Sequence, residues 1–256
     1  MTGAGPAGES TRALPAVLFV VEEVLVPEFS RERWQWAWRP QGPPIPERSY
    51  RAAVRRAEHR WDRQRWEALL GGEAREEAPG HRAFLRDTLR EIAGYPMPES
   101  EADLFVDRFL KCPLPRPPHP EVPALLAELR RRGGTIGALG RFAGPGGSEA
   151  LARAGIRPAI DVVAGSDPGG ASMPAREAFR AAAREMGRRP QEITFVGTLF
   201  WSEVRAAHRA GLDSLRLARG EADPRGGTAR LGRLPDLLER RVGPSTASDP
   251  EPAPPS

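Results

Sequence analysis

One cysteine, Cys112, in 256 residues excludes an intramolecular disulfide and a multi-cysteine metal site. Lysine also occurs once, at Lys111, so nearly all positive charge is arginine. No run of 18 or more apolar residues occurs, and a transmembrane helix is not expected. The opening MTGAGPAGES has neither the basic nor the apolar stretch of a secretory leader. The expected location is therefore cytoplasmic. His59, His81, His119 and His208 show no paired metal-ligand spacing, and no internal repeat is visible.

What is present is an arginine-rich, acid-rich chain. Lys and Arg number 38 against 34 Asp and Glu, a formal charge of +4. The two signs are interspersed, as in Arg51 to Arg65 and Glu73 to Glu77, rather than gathered into one basic stripe. Solvated helix faces explain this better than a nucleic-acid footprint. Arginine-mediated nucleic-acid binding stands third among the functional readings. The apolar fraction of 39% suits a globular chain.

Residues 1–13 and 243–256 are Gly/Ala/Ser-rich and Pro/Ser-rich, compositions that bury too little to order a chain. Between them lie two patterns. From Pro27 to Cys112 helical stretches are expected at Ser49–Leu70, His81–Ala93 and Ser100–Leu110, separated by Pro/Gly breaks. From Pro113 onward short strand-like runs alternate with helices. These are helix Pro120–Arg132, strand Thr135–Leu139, helix Ser148–Ala154 and strand Ile160–Ala164. Helix Pro174–Met186, strand Ile193–Val196, helix Ser202–Ala210 and strand Ser214–Leu217 follow. Val17–Val21 adds an N-terminal strand within VLFVVEEVLV. Strands separated by helices imply a parallel sheet covered on both faces.

The ordered segments LRRRGGTIGAL, AGIRPAIDVVAGSD, MPAREAFRAAAREMG and ITFVGTLFWSEVRAAHRAGL, with a helical insertion after strand one, resemble the haloacid dehalogenase-like hydrolase superfamily. The resemblance covers about residues 15 to 240 and points to members with a helical cap. It implies a Rossmann-like parallel α/β core at 14–27 and 113–242, with an all-helical cap at 28–112. It also implies an Asp nucleophile, a second Asp as general acid and base, a Thr or Ser, a Lys, and Mg²⁺ held by further carboxylates.

Laid on this sequence, the nucleophile position falls on Val20 and the acid/base position on Glu22. The hydroxyl position falls on Gly140, the Lys position on Met173 before Pro174, and the fourth-strand carboxylates on Thr198 and Glu203. Valine has no lone pair with which to attack, and these roles are coupled. The leading expectation is a non-hydrolytic binding, scaffolding or regulatory module without a cofactor. Its partner would be a protein or a small ligand in the cap–core cleft.

The alternative is a phosphatase-like hydrolase with altered chemistry using Glu22 and Glu203, with Mg²⁺ only in that case. Glu22 and Glu23 side by side read as two solvated carboxylates. Arg141 and Arg176 are candidate anion contacts in place of the lost lysine, each with a plain surface role as the simpler reading. Gly140, Gly144, Gly146 and Gly147 read as a loose turn. Trp34, Trp36, Trp38, Trp61 and Trp66 read as cap core, or else as a ligand or partner surface. Trp201 is read as filling space beside the former metal position.

Overall fold

The computed structural model describes residues 16–28, 30–38, 46–71, 80–142, 144–165, 172–219 and 230–239. The tails expected to be disordered, 1–13 and 243–256, lie outside the described residues.

One parallel sheet of six strands organises the chain, in the order β3-β2-β1-β4-β5-β6. The strands are β1 (Ala16–Val20), β2 (Ile136–Leu139), β3 (Val162–Ala164), β4 (Ile193–Gly197), β5 (Asp213–Leu217) and β6 (Arg230–Leu231). β1 lies at the centre, paired with β2 through Val17–Ile136 to Val20–Leu139 and with β4 through Ala16–Ile193 to Phe19–Val196. A strand covered on both faces must be apolar throughout, which explains AVLFV, buried at every position.

Four helices fall between β1 and β2 as an insertion: α1 (Arg31–Trp38), α2 (Glu47–Leu70), α3 (His81–Ala93) and α4 (Glu99–Leu110). α5 (Val122–Arg131) then leads back to the sheet, burying Val122, Leu125, Leu126 and Leu129 on the stripe its periodicity predicts. The helix after β2 is α6 (Gly146–Arg153), the one after β3 is α7 (Arg176–Glu185), and α8 (Ala206–Ala210) lies between β4 and β5.

Four differences from the sequence expectations have physical causes. α1 lies in the region expected to be helical but outside the three stretches named there. On a helix Trp34 and Trp38 share one face and are buried, while Trp36 is partly exposed. β6 is two residues long, too short to leave a pattern. Pro174 precedes α7 rather than opening it. The helix expected at Ser202–Ala210 opens as a π-helical turn over Phe200–Arg205, for a reason supplied by the insertion.

The insertion has its own apolar centre. Trp34, fully buried, stacks 4.9 Å from Phe105 and lies tilted 4.9 Å from Phe109, with Tyr50, Leu85 and Leu89 around it. Trp66 instead joins the sheet's core cluster, and Trp61 packs with Phe84, Leu199 and Phe142. The tryptophans of α2 therefore bind the insertion to the sheet.

Candidate functional site

β1 runs directly into a tight turn, in which Glu22 bridges to Val26 and Glu23 takes a left-handed φ of 64°. That conformation is unfavourable for a non-glycine residue. It is held here because the Glu23 carboxylate accepts the Glu28 N–H at 2.7 Å and Arg219 donates to the Glu23 and Val24 carbonyls. The turn aims the two glutamates apart. Glu22 is buried at 6% exposure, so the expectation of two solvated carboxylates is corrected for it.

Glu22 Oε2 accepts the backbone N–H of Arg141 at 2.8 Å. Arg141 follows β2 and is 1% exposed, which corrects the surface reading. Its Nε donates to Glu203 Oε1 at 2.8 Å and its Nη2 to Thr198 Oγ1 at 3.1 Å. Its Nη1 lies 4.0 Å from Glu58 Oε1.

Glu203 is held from three sides. Its Oε2 accepts the N–H groups of Thr198 at 2.8 Å and Leu199 at 3.0 Å, while Oε1 takes Arg141. A side chain at residue 197 would place its Cβ 2.8 Å from Glu203 Oε2, so Gly197 makes room for this fold-back. Glu22 and Glu203 thus do meet in one region, as expected, but through Arg141.

Burial pushes the Glu22 carboxyl above the ordinary carboxylate range, with Arg141 opposing. Burial also pulls the Arg141 guanidinium down, yet Glu203, Glu58 and Glu22 outweigh it and hold it above its usual value.

α2 closes this region from above. Asp62, 3% exposed, accepts the N–H groups of Trp201 at 3.1 Å and Ser202 at 2.7 Å, and the Ser202 hydroxyl at 2.7 Å. It does the work of an N-terminal cap from 140 residues away in sequence, and so anchors the π-helical turn. Arg65 donates to the Arg141 carbonyl at 3.2 Å and lies over the Trp61 ring at 4.5 Å. Burial lowers Arg65 to about 10. Trp66 meets Trp201 at 5.7 Å.

Val20, Met173 and Trp201 are 0%, 1% and 8% exposed and belong to one apolar cluster. Arg176 is not brought here. It is exposed on α7 and donates to the Arg209 carbonyl at 2.6 Å. The glycines are not a loose turn either, because Gly147 is buried and a Cβ there would sit 3.3 Å from Gly140 Cα. Gly140 and Gly147 let α6 approach the end of β2 closely, while Gly144 and Gly146 face open space.

Beside the ion cluster lies a cavity of ≈ 160 Å³. It sits at the ends of β4 and β5 beneath α2, where open α/β sheets bind ligands. Arg55, Arg216 and Arg219 line it together with Glu23, Glu58 and Thr198. Glu58, Asp62 and Arg65 were missed by sequence reasoning. Their spacing on one face of α2, alternating with Trp61 and Trp66, was the available signal.

A second ion cluster sits where the insertion joins the sheet. Glu28, 3% exposed, pairs with Arg116, with His81 Nε2 at 3.3 Å and with Arg33 Nη1 at 3.9 Å. Burial would raise its pKa, but His81, Arg116 and Arg33 outweigh that and lower it to about 2. No helix among the described residues is long and apolar enough to cross a membrane.

A parallel α/β sheet with a helical insertion after its central first strand, and polar residues gathered at the strand ends beneath it, defines a class of α/β folds with an inserted helical unit. The chain matches the haloacid dehalogenase-like hydrolase family over residues 24–211 and belongs to that family. The match begins after Val20 and Glu22.

Among curated relatives it is 34% identical over 104 residues to a glyceraldehyde 3-phosphate phosphatase of Methanopyrus kandleri. That alignment covers 41% of this chain and 45% of the relative. It is 32% identical over 167 residues to a phosphoserine phosphatase of Thermus thermophilus, covering 62% and 64%. The chain thus spans about half to two thirds of these relatives' lengths. The fold is similar to the L-2-haloacid dehalogenase of Xanthobacter autotrophicus, with a TM-score of 0.62 at 19% identity over 88% of this chain and 97% of that one. It is also similar to the HAD-hydrolase YfnB of Bacillus subtilis, with a TM-score of 0.65 at 12% identity over 88% and 97%.

Proposed function

We propose that this family member has lost phosphohydrolase chemistry and works as a binding or regulatory module, with a small ligand or a protein partner engaging the cleft beneath α2. The observation that carries this reading is Arg141, buried between Glu22 and Glu203 with Val20 at the nucleophile position. A guanidinium has no lone pair for nucleophilic attack and cannot act as a base in a protein. Valine cannot form an acyl phosphate.

Magnesium, which the family resemblance implies, does not fit the residues present. An oxygen-seeking ion needs free carboxylate oxygens, and both Glu203 oxygens are taken by N–H donors. Thr198 is neutral, and Val20 brings no donor. Among the described residues no group of three His, Cys, Asp or Glu side chains gathers as a metal site.

A ligand is supported by the ≈ 160 Å³ cavity, whose lining carries both guanidinium and carboxylate groups. That size and lining suit a small polar molecule bearing both charges, well below the usual drug-sized pocket of about 300–1,000 Å³.

The second reading is a phosphatase-like hydrolase with altered chemistry. The named phosphatases among the relatives favour it, and so does Glu22, whose burial holds its carboxyl toward the protonated state a general acid needs. Relatives thus favour the second reading, and residue chemistry the first.

The deciding experiment is turnover of p-nitrophenyl phosphate and a panel of small phosphate esters with Mg²⁺. The first reading expects no turnover above a heat-killed control. Robust turnover abolished by Glu22→Ala in a folded protein would establish the second reading and sink the first.

A further inference from the structure

The cavity beneath α2 is charged from two sides. α2 presents Arg55, Glu58, His59 and Asp62, at the spacing of one helix face. The strand ends present Arg216, on β5, and Arg219 just after it. Leu199, Phe200 and Leu217, all buried, make part of the lining apolar.

Several of these charges have structural duties. Asp62 accepts the Trp201 and Ser202 amides. Arg219 pairs with Glu121 at 2.7 Å and donates to the Glu23 and Val24 carbonyls, and the Glu23 carboxylate takes the Glu28 N–H. Arg55 and His59 are exposed.

Arg216 and Glu58 differ from these. Arg216 is 9% exposed, and its Nε donates to the Thr198 carbonyl at 3.1 Å, which fixes the guanidinium at the strand ends. Glu58 is part-buried on α2, with the buried Arg141 Nη1 4.0 Å from its Oε1. A ligand here meets a held guanidinium from the sheet, a carboxylate from the insertion and an apolar surface. A dianion would bring its charge against Glu23 and Glu58, and a simple amine would face three arginines. The volume of ≈ 160 Å³ equals roughly five liquid waters at ~30 Å³ each, room for two charged groups and a short carbon chain.

We infer that this cavity binds a free amino acid with a short apolar side chain, its carboxylate on Arg216 and its ammonium on Glu58. The guanidinium fork matches a carboxylate, and the apolar lining takes the side chain. The inference rests on the reading above that a small ligand engages the cleft, and adds that ligand's chemistry. Because the two contacts come from different parts of the fold, the ligand ties α2 to the strand ends.

The test is calorimetric titration of the full chain with L-alanine, L-valine and L-leucine. Each is compared with its matched analogue lacking the amino group and its matched amine lacking the carboxyl, which for valine are 3-methylbutanoate and 2-methylpropylamine. At least one amino acid is expected to bind ~10-fold or more tighter than both of its analogues. Glu58→Gln is expected to weaken the amino acid at least ~10-fold and leave the carboxylate-only analogue unchanged. Arg216→Gln is expected to weaken it as much and leave the amine unchanged. Should Arg216→Gln fail to fold, the Glu58→Gln comparison decides alone.

No binding by any of the three amino acids would overturn the inference. So would an analogue that binds as tightly as its parent, tighter binding of inorganic phosphate, or an equal loss for amino acid and carboxylate in Glu58→Gln. Amino acids carry no phosphoryl group, so turnover of phosphate esters would sink the earlier reading and leave this test standing. Failure of every amino acid to bind would sink this inference and leave the loss of hydrolysis untouched.

Discussion

Two buried ion clusters tie the helical insertion to the sheet, and they are built around opposite charges. At the junction one carboxylate, Glu28, sits among Arg33, Arg116 and His81. In the cleft two guanidinium groups, Arg141 and Arg65, sit among Glu22, Glu58, Asp62 and Glu203. The first is base-rich and holds its acid near a pKa of about 2. The second carries several carboxylates beside its arginines and pushes those of Glu22 and Asp62 upward by burial. The junction therefore behaves as a fastening whose acid is satisfied. The cleft cluster is instead built around one buried side chain, Arg141, whose guanidinium meets Glu203 and Thr198. Breaking each cluster should give results of different size and different pH dependence.

The largest effect is expected from Arg141→Met. It strips the guanidinium from Glu203 Oε1 in a dry setting while Glu22 keeps the backbone N–H of residue 141, and breaking a buried pair from one side costs about 3–5 kcal/mol. Urea unfolding at neutral pH measures it, and a loss under ~1 kcal/mol would mean the cluster is solvated.

Next is Glu28→Gln. The folded pKa of about 2 lies below the ordinary 4.5, so this group's stabilisation is present above 4.5 and is lost as pH falls toward 2. The shift corresponds to about 3 kcal/mol. Denaturant melts across that interval should show the wild type losing stability where the variant stays flat.

Asp62→Ala follows, at about 2 kcal/mol. It leaves the Trp201 and Ser202 amides without their acceptor while relieving a buried carboxylate. Hydrogen exchange at residues 200–203 is expected to rise well before global unfolding, and unchanged protection there would show that Asp62 does not hold the turn.

Glu22→Gln should be smallest and of opposite sign. A folded pKa raised by burial means stability present below the ordinary value and lost as pH rises through the raised one. At neutral pH the amide keeps an acceptor for the Arg141 N–H and drops a desolvated charge. A gain of under ~1 kcal/mol is expected. A clear loss would show that attraction to Arg141 outweighs burial.

These comparisons also show what the sequence could and could not carry. The sheet half was legible because buried parallel strands must be apolar runs and their helices amphipathic, as in AVLFV and the Val122–Leu129 stripe. Val20, Met173 and Thr198, which the proposed reading takes as substituted positions, were legible as residue types in ordered segments.

The ion clusters were not. Arg141 is one arginine among many, and nothing local distinguishes a buried guanidinium from a surface one. Its burial depends on Glu203, 62 residues later, and on Arg65, 76 residues earlier. Asp62 and Glu58 look like ordinary solvated charges on α2 until the tertiary fold brings the core against them. The π-helical start at Phe200 was hidden for the same reason, since its capping group comes from another part of the chain.

That borrowed cap bears on modularity. An insertion that only covers a sheet can be excised and leave a foldable remainder behind. Here Asp62 satisfies amides at the start of the segment after β4, and Arg65 satisfies the carbonyl after β2. The sheet's own loops are finished by atoms that belong to the insertion. A shortened chain joining Pro27 directly to Pro113 would thus lose part of its local structure along with its cover.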